Sequence, residues 1–344
     1  MSVHDSLFMR ALRREPTEKT PVWLMRQAGR YMPEYRAVRS GLSFLELCNR
    51  PDLCAEVMLV AVERLKVDAA IIFADLLPIL QPMGMDLEFV DEAGPVIRNP
   101  IRTPDQVDQL VELDNLEPLK CVMETVRLTR DGLSDQLPLL GFAGAPFTLA
   151  SYAIEGGVSR NYIHTKTLMY EDKGAWEAIM LRLSRAIIKY LNAQIDAGAQ
   201  AVQLFDSWVG CLSPDDYRIF VLPHVQAIIQ QIKSGVPVIH FTTGNPSLLP
   251  LISEAGGTAI GVDWRVRLDE AWKAIGPDKA IQGNLDPTIL LTNSNQIRRG
   301  IKQILNQANG RAGHIFNLGH GILKQTPVDN AIEMVEAVHE LSAR

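Results

Sequence analysis

The chain of 344 residues has only four cysteines, Cys48, Cys54, Cys121 and Cys211, and no two of them form a CxxC pair. So few thiols cannot staple a chain this long, so a disulfide scaffold is excluded and reduced, buried thiols in the cytoplasm are expected. No stretch of about 18 consecutive apolar residues occurs, which removes the usual signal for a spanning helix. The opening MSVHDSLFMRALRREPTEKT holds no apolar core of the kind secretory leaders carry, so neither export nor a membrane partner is expected. Several chemical motifs are missing as well. No GxGxxG follows the first apolar run, and GxxxxGK[ST], HExxH and GxSxG are absent. Dinucleotide, P-loop, zinc-protease and serine-hydrolase readings lose their main support.

What is present is an ordinary globular composition, 47% hydrophobic and 22% charged, with 34 Lys plus Arg against 40 Asp plus Glu. A net charge of −6 gives no overall field that would draw nucleic acid. The deficit is uneven. Residues 1–50 hold nine basic and five acidic side chains, a net +4, which leaves −10 for the other 294 residues. A basic island in an acidic chain suggests a local anion site, with a solvated face as the plain alternative.

Eight short apolar runs end at a polar residue or glycine: VWLMR (22–26), AAIIFAD (69–75), LPLLGFAG (137–144), AVQLFDS (201–207), PVIHFTTG (237–244), AIGVDW (259–264), AIQGN (280–284) and HIFNLGHG (314–321). Strands of a parallel sheet buried on both faces read this way. Helical patterns lie between them. Leu183, Ile187, Tyr190, Leu191 and Ile195 share one face at helical spacing, as do Leu53, Val57, Val60 and Leu65. Ser213 before Pro214, Asp215 and Asp216 marks a helix start, and Thr103 with Gln106 fits a capping box. This alternation predicts an α/β chain folded as a single (β/α)8 barrel over residues 1–344, with a doubly wound open sheet as the alternative. Two stretches break the repeat. Residues 85–101 read as a hairpin insertion around Glu92 to Pro95, after the second strand, and 151–170 as a polar loop.

Active sites of such barrels lie where the strands end. Those ends are Arg26, Asp75, Asp206 with Ser207, Thr242 with Thr243, Asp263, Asn284, and Asn317 with His320. Polar strand ends are common on any barrel, so each alone carries little. His240 is a candidate metal ligand, but zinc needs three or four ligands, and a buried structural histidine is the better reading. The NLGHG turn could cradle a phosphate. The densest segment is PVWLMRQAGRYMPEYRAVR, 21–39, in which Gly29 favours a loop that carries Arg26 and Arg30. Two guanidiniums and free backbone N–H groups around small residues suit carboxylates or phosphates.

At that segment a family resemblance becomes visible. PVWLMRQAGR resembles the first signature of the uroporphyrinogen decarboxylases, and GFAGAPFTLASYAIEG (141–156) resembles the second. IIFADLLP, FDSWVG, QGNLDP and FNLGHGI are similar to further stretches of that family. The resemblance implies a (β/α)8 barrel without cofactor or metal, a homodimer, that converts uroporphyrinogen III to coproporphyrinogen III in tetrapyrrole (heme, chlorophyll) biosynthesis. It implies substrate contacts at Arg26, Gln27, Ala28, Gly29, Arg30, Asp75, Tyr152, Ser207 and His320, with Asp75 and Arg26 closest to the chemistry. The NLGHG turn then becomes a wall of the porphyrinogen site instead of a phosphate loop. The nearest rival is a zinc-dependent corrinoid or thiol methyltransferase of a related barrel family. Its HxC ligands would fall where this chain has His240, Phe241 and Thr242.

Overall fold

The computed structural model describes residues 2–90 and 94–344. Seven of the eight apolar runs become parallel strands of one curled sheet: β1 (Ala70–Ile71), β4 (Leu139–Gly144), β5 (Ala201–Asp206), β6 (Val238–Thr242), β7 (Ala259–Gly261), β8 (Ala280–Gln282) and β9 (His314–Ile315), neighbours in that order. Several are shorter than their apolar runs, because pairing stops where the chain turns toward the rim.

The run at 22–26 is the exception, and it is where the ring closes. Only Val22 bridges, to Phe316. The Asp68 N–H donates to the Val22 carbonyl at 2.8 Å, and the Phe316 N–H to the Pro21 carbonyl at 2.8 Å. The eighth stave is thus extended chain held from both sides, not a strand. It ends early because the Gln27 N–H turns back to the Leu24 carbonyl (3.0 Å) and Arg26 takes a left-handed φ of 65°.

Inside the ring, a buried polar chain crosses the lumen. Trp23 Nε1 donates to Gln282 Oε1 (2.9 Å), and Gln282 Nε2 donates to Gln203 Oε1 (3.0 Å). Removing one partner would strand a buried polar group at about 1–3 kcal/mol.

The helices wrap the outside. Pro51–Leu65 and Lys173–Ala197 bury Val57 and Leu65, and Leu183, Ile187, Tyr190 and Leu191, on the stripes their spacing predicts. Ser213 caps Pro214–Phe220 by accepting from the Asp216 N–H at 3.1 Å. The Thr103 N–H donates to Gln106 Oε1 (3.2 Å), at the head of a 3-10 helix, Pro104–Gln109.

Residues 151–170 are not a loop. Two helices, Pro146–Glu155 and Ile163–Glu171, occupy most of that span. Its polar composition reflects a helical hairpin exposed on one side, and Glu155 ties the two helices by accepting from the Thr165 N–H and hydroxyl, both at 2.8 Å. β2 (Leu87–Val90) and β3 (Gly94–Ile97) pair antiparallel in a separate two-stranded sheet. The expected turn at Glu92 lies outside the described residues. Of the thiols, only Cys54 is fully buried, and Cys48, Cys121 and Cys211 are partly exposed.

Candidate active site

The first-signature loop is built from the inside out. Gln27 is fully buried, and its side chain serves the barrel wall: Oε1 accepts from the Leu24 N–H (3.3 Å) and Nε2 donates to the Ala69 carbonyl (3.2 Å). Tyr31 donates its hydroxyl to the Gln27 carbonyl at 2.7 Å. Gln27 can therefore offer a ligand only main-chain contact, and Ala28 is likewise buried. Pinned this way, the loop leaves the N–H groups of Ala28, Gly29 and Arg30 without a hydrogen bond to any other described residue, and it exposes Arg26 and Arg30. Three unpaired donors flanked by two guanidiniums are suited to binding an anion.

The last-strand turn is fastened onto this loop. The Met25 N–H donates to Asn317 Oδ1 (3.2 Å), and the Ile322 N–H donates to the Met25 carbonyl (3.0 Å). His320 is thereby held near Arg26. Burial first, then the neighbouring guanidinium, pushes its imidazole down to about 4, so the ring is neutral near pH 7.

Asp75 follows β1 and is half-buried. Its Oδ1 accepts from the Leu77 N–H at 3.0 Å, which fixes the carboxylate in a tight turn and leaves Oδ2 for a ligand. Burial raises this carboxyl above the ordinary range, and the Leu77 N–H and Arg26 only partly offset it. Tyr152 lies on the Pro146–Glu155 helix, its ring stacked on Trp208 with centroids 3.8 Å apart. Burial raises the phenol, Asp75 adds to the rise, and Arg26 opposes it. Residues from three distant parts of the chain thus share one electrostatic neighbourhood.

Ser207 opens the turn after β5. Its carbonyl accepts the Thr243 hydroxyl at 2.7 Å. A Cβ on Gly210 would sit 2.2 Å from the Thr243 carbonyl oxygen, so glycine there lets the two turns touch.

Other strand-end residues serve the scaffold. Asp206 is fully buried and accepts from Thr148 Oγ1 (3.1 Å). Asp263 accepts from the Gly244 N–H (2.8 Å), Asn284 Nδ2 donates to the Asp263 carbonyl (2.7 Å), and Thr242 is buried. His240 is fully buried, with its Nε2 3.9 Å from Asp206 Oδ2. Among the described residues no three His, Cys, Asp or Glu side chains cluster as a metal site would require.

One feature escaped the sequence reading. Phe142, Phe205 and Phe241 run in file across adjacent strands, with centroid spacings of 5.5 and 5.6 Å, and His320 continues the file 6.3 Å from Phe241. Alternation puts Phe205 on the face of Gln203, so this file lines the lumen side. The signal was available: a phenylalanine stands just before the polar end of five apolar runs, at Phe73, Phe142, Phe205, Phe241 and Phe316. An apolar aromatic floor beside cationic side chains suits an organic polyanion with an apolar ring framework.

Fold and site together define a (β/α)8-barrel enzyme in which Arg26, Asp75, Tyr152 and His320 share one electrostatic neighbourhood. The chain belongs to the uroporphyrinogen decarboxylase family, whose model matches residues 3–341. It is 53% identical over 340 residues to the uroporphyrinogen decarboxylase of Carboxydothermus hydrogenoformans, covering 98% of this chain and 97% of that protein. The uroporphyrinogen decarboxylase of Sorangium cellulosum is 52% identical with the same coverage. Among solved structures, a methyltransferase from Methanosarcina mazei superposes with a TM-score of 0.83 over 97% of this chain and 98% of its own, at 21% identity. That likeness concerns the fold alone.

Proposed function

We propose that this chain removes CO₂ from the four acetate side chains of uroporphyrinogen III to give coproporphyrinogen III. The observation that carries the reading is the meeting of two signature segments, far apart in sequence, at one barrel mouth, where the Tyr152 phenol responds to both Asp75 and Arg26.

The chemistry agrees with these side chains. A pyrrole acetate cannot lose CO₂ directly, because the electron pair left on the methylene has nowhere to go. A proton added to the adjacent ring carbon makes the ring a cation, and the breaking C–C bond delivers its pair there. The ring-carbon proton then leaves as another adds to the exocyclic methylene, so each acetate becomes a methyl group at the net cost of one proton. The protein has to hold a flexible octacarboxylate and stabilise charge on one ring. Arg26, Arg30 and the N–H groups of Ala28, Gly29 and Arg30 suit the first task, with Ser207, Tyr152 and His320 orienting further carboxylates. Asp75, aimed at the pyrrole N–H groups, suits the second, since those groups become more acidic as the ring is protonated and the contact tightens in the transition state.

The enzyme works as one catalytic domain in the cytoplasm, a reading its four free thiols support. It pairs as a homodimer, for which exposed Val158, Ile163 and Ile219 are candidate contacts. Light scattering at micromolar concentration should return twice the mass of the 38.2 kDa chain.

The test is anaerobic incubation with uroporphyrinogen, followed by oxidation and separation of products by carboxyl number. A ladder from eight to four carboxyls is expected, and it should survive exhaustive chelation because the substrate supplies the electron sink. Loss of turnover on chelation, restored by one added metal, would overturn the metal-free mechanism, whereas bound zinc in the purified protein with no CO₂ release would point to the methyltransferase-type alternative.

A further inference from the structure

Trp208, the residue after Ser207, has no part in the chemistry above, yet its surroundings are unusually constrained. Its ring stacks on Tyr152 with an interplanar angle of 29° and a centroid distance of 3.8 Å. Tyr162, at the head of the Ile163–Glu171 helix, meets its edge at 5.4 Å and 70°. The Trp208 N–H donates to Thr148 Oγ1 (3.3 Å), and that hydroxyl donates in turn to the buried Asp206 carboxylate (3.1 Å).

Thr148 and Tyr152 are four residues apart on the Pro146–Glu155 helix, so they stand one above the other on one face. That face grips Trp208 twice, by its backbone through Thr148 and by its ring through Tyr152. Trp208 itself is half-buried just after a barrel strand and, like Tyr152, packs against the edge of the apolar core. Seated on the core edge, the Trp208 ring fixes the plane against which the Tyr152 ring stacks. Tyr152 makes no hydroxyl hydrogen bond to another described residue, so nothing else of that kind fixes its phenol.

We infer that Trp208 is a positioning residue: it clamps the Tyr152 ring and joins it to Ser207, so that two carboxylate contacts on different elements keep a fixed separation. Loss of the clamp frees the two side-chain torsions of Tyr152 and loosens its register with Ser207. Substrates that use both contacts suffer most, so partly decarboxylated intermediates should leak from the ladder. The inference rests on the reading of Tyr152 as a substrate contact.

The experiment is a double-mutant cycle on the full chain, with Trp208→Leu and Tyr152→Leu singly and together, and Trp208→Phe as a variant that keeps an aromatic face. Turnover, KM and the distribution of carboxyl numbers are read on uroporphyrinogen. Trp208→Leu alone should lower kcat/KM about 2- to 10-fold, the range an aromatic pair supplies, and should accumulate intermediates. Trp208→Phe should restore most of it. In the Tyr152→Leu background, Trp208→Leu should add nothing. Equal losses from Trp208→Leu in both backgrounds, or no rescue by Phe, would overturn the inference while leaving Tyr152 as a substrate contact. Wild-type behaviour of Tyr152→Leu would overturn that assignment and the clamp together. If Trp208→Leu does not fold, the same cycle is run with Trp208→Met, with Trp208→Phe kept as the aromatic control, and additive losses there also overturn it.

Discussion

Arg26 lies across Gly321. A Cβ on that glycine would stand 2.5 Å from Arg26 Cδ and 3.0 Å from its Cγ and Nε, so the aliphatic stem of the arginine occupies the space a side chain would fill. The last-strand turn thus sets the path of the guanidinium.

Gly321→Ala should therefore reproduce much of the defect of Arg26→Ala. The alanine fits the backbone but forces the arginine stem aside, and a misplacement of about 1 Å can cost on the order of 10²-fold in turnover. Thermal unfolding should move little, since Arg26 is exposed. Wild-type kinetics in Gly321→Ala would show that Arg26 reaches its target by another path.

Asp75→Asn tests the electrostatic role. The amide keeps an acceptor for the Leu77 N–H but loses the charge, so porphyrinogen should still bind while turnover falls roughly 10²-fold or more. Asp75→Glu should fall between the two. Turnover within about tenfold of wild type combined with a collapse of binding would make Asp75 a docking group only.

Arg30 is exposed, with no ion pair to a described residue. Arg30→Ala should raise KM by the equivalent of about 1.5–3 kcal/mol, the worth of a charge-assisted hydrogen bond. Added salt should weaken binding of the polyanion to wild type more than to the variant. Steady-state titrations at two ionic strengths decide the matter, and Arg30→Lys at wild-type level would exclude a planar, bidentate contact.

His314 gives a pH prediction. It is buried, its Nε2 is 3.0 Å from the Gly283 carbonyl, and burial pushes its imidazole from 6.5 down to about 4. The unfolded chain takes up a proton between those values that the folded chain refuses. Stability is then fully present above pH 6.5 and falls on acidification toward pH 4, by up to about 1.4 kcal/mol per pH unit for this group. Urea midpoints at pH 7.5 and 5 should converge in His314→Gln relative to wild type. An unchanged gap would show that another group carries the acid sensitivity.

The local devices of this protein are written in its sequence. Apolar runs with polar ends, the Leu183 to Leu191 stripe and the Ser213 cap depend on neighbours a few residues away. For seven of the eight runs, and for that stripe and that cap, local spacing was enough to predict strand, helix and helix start. The two long signatures are local as well, and the family resemblance they carry is what pointed to Arg26, Arg30, Asp75, Tyr152, Ser207 and His320 as substrate contacts. Tertiary structure decided what needs distant partners. The run at 22–26 became a single bridge because its neighbours in the ring are Asp68 and Phe316, contributed by opposite ends of the chain. Residues 151–170 became helices because Glu155, Thr165 and the barrel side supply contacts that polarity alone conceals. Gln27 turned inward because the Leu24 N–H and the Ala69 carbonyl offered a buried donor and acceptor that had to be satisfied. The stack of Trp208 on Tyr152 and the passage of Arg26 over Gly321 join residues 56 and 295 positions apart. No local periodicity encodes such a pair, because only the closing of the barrel brings its members together.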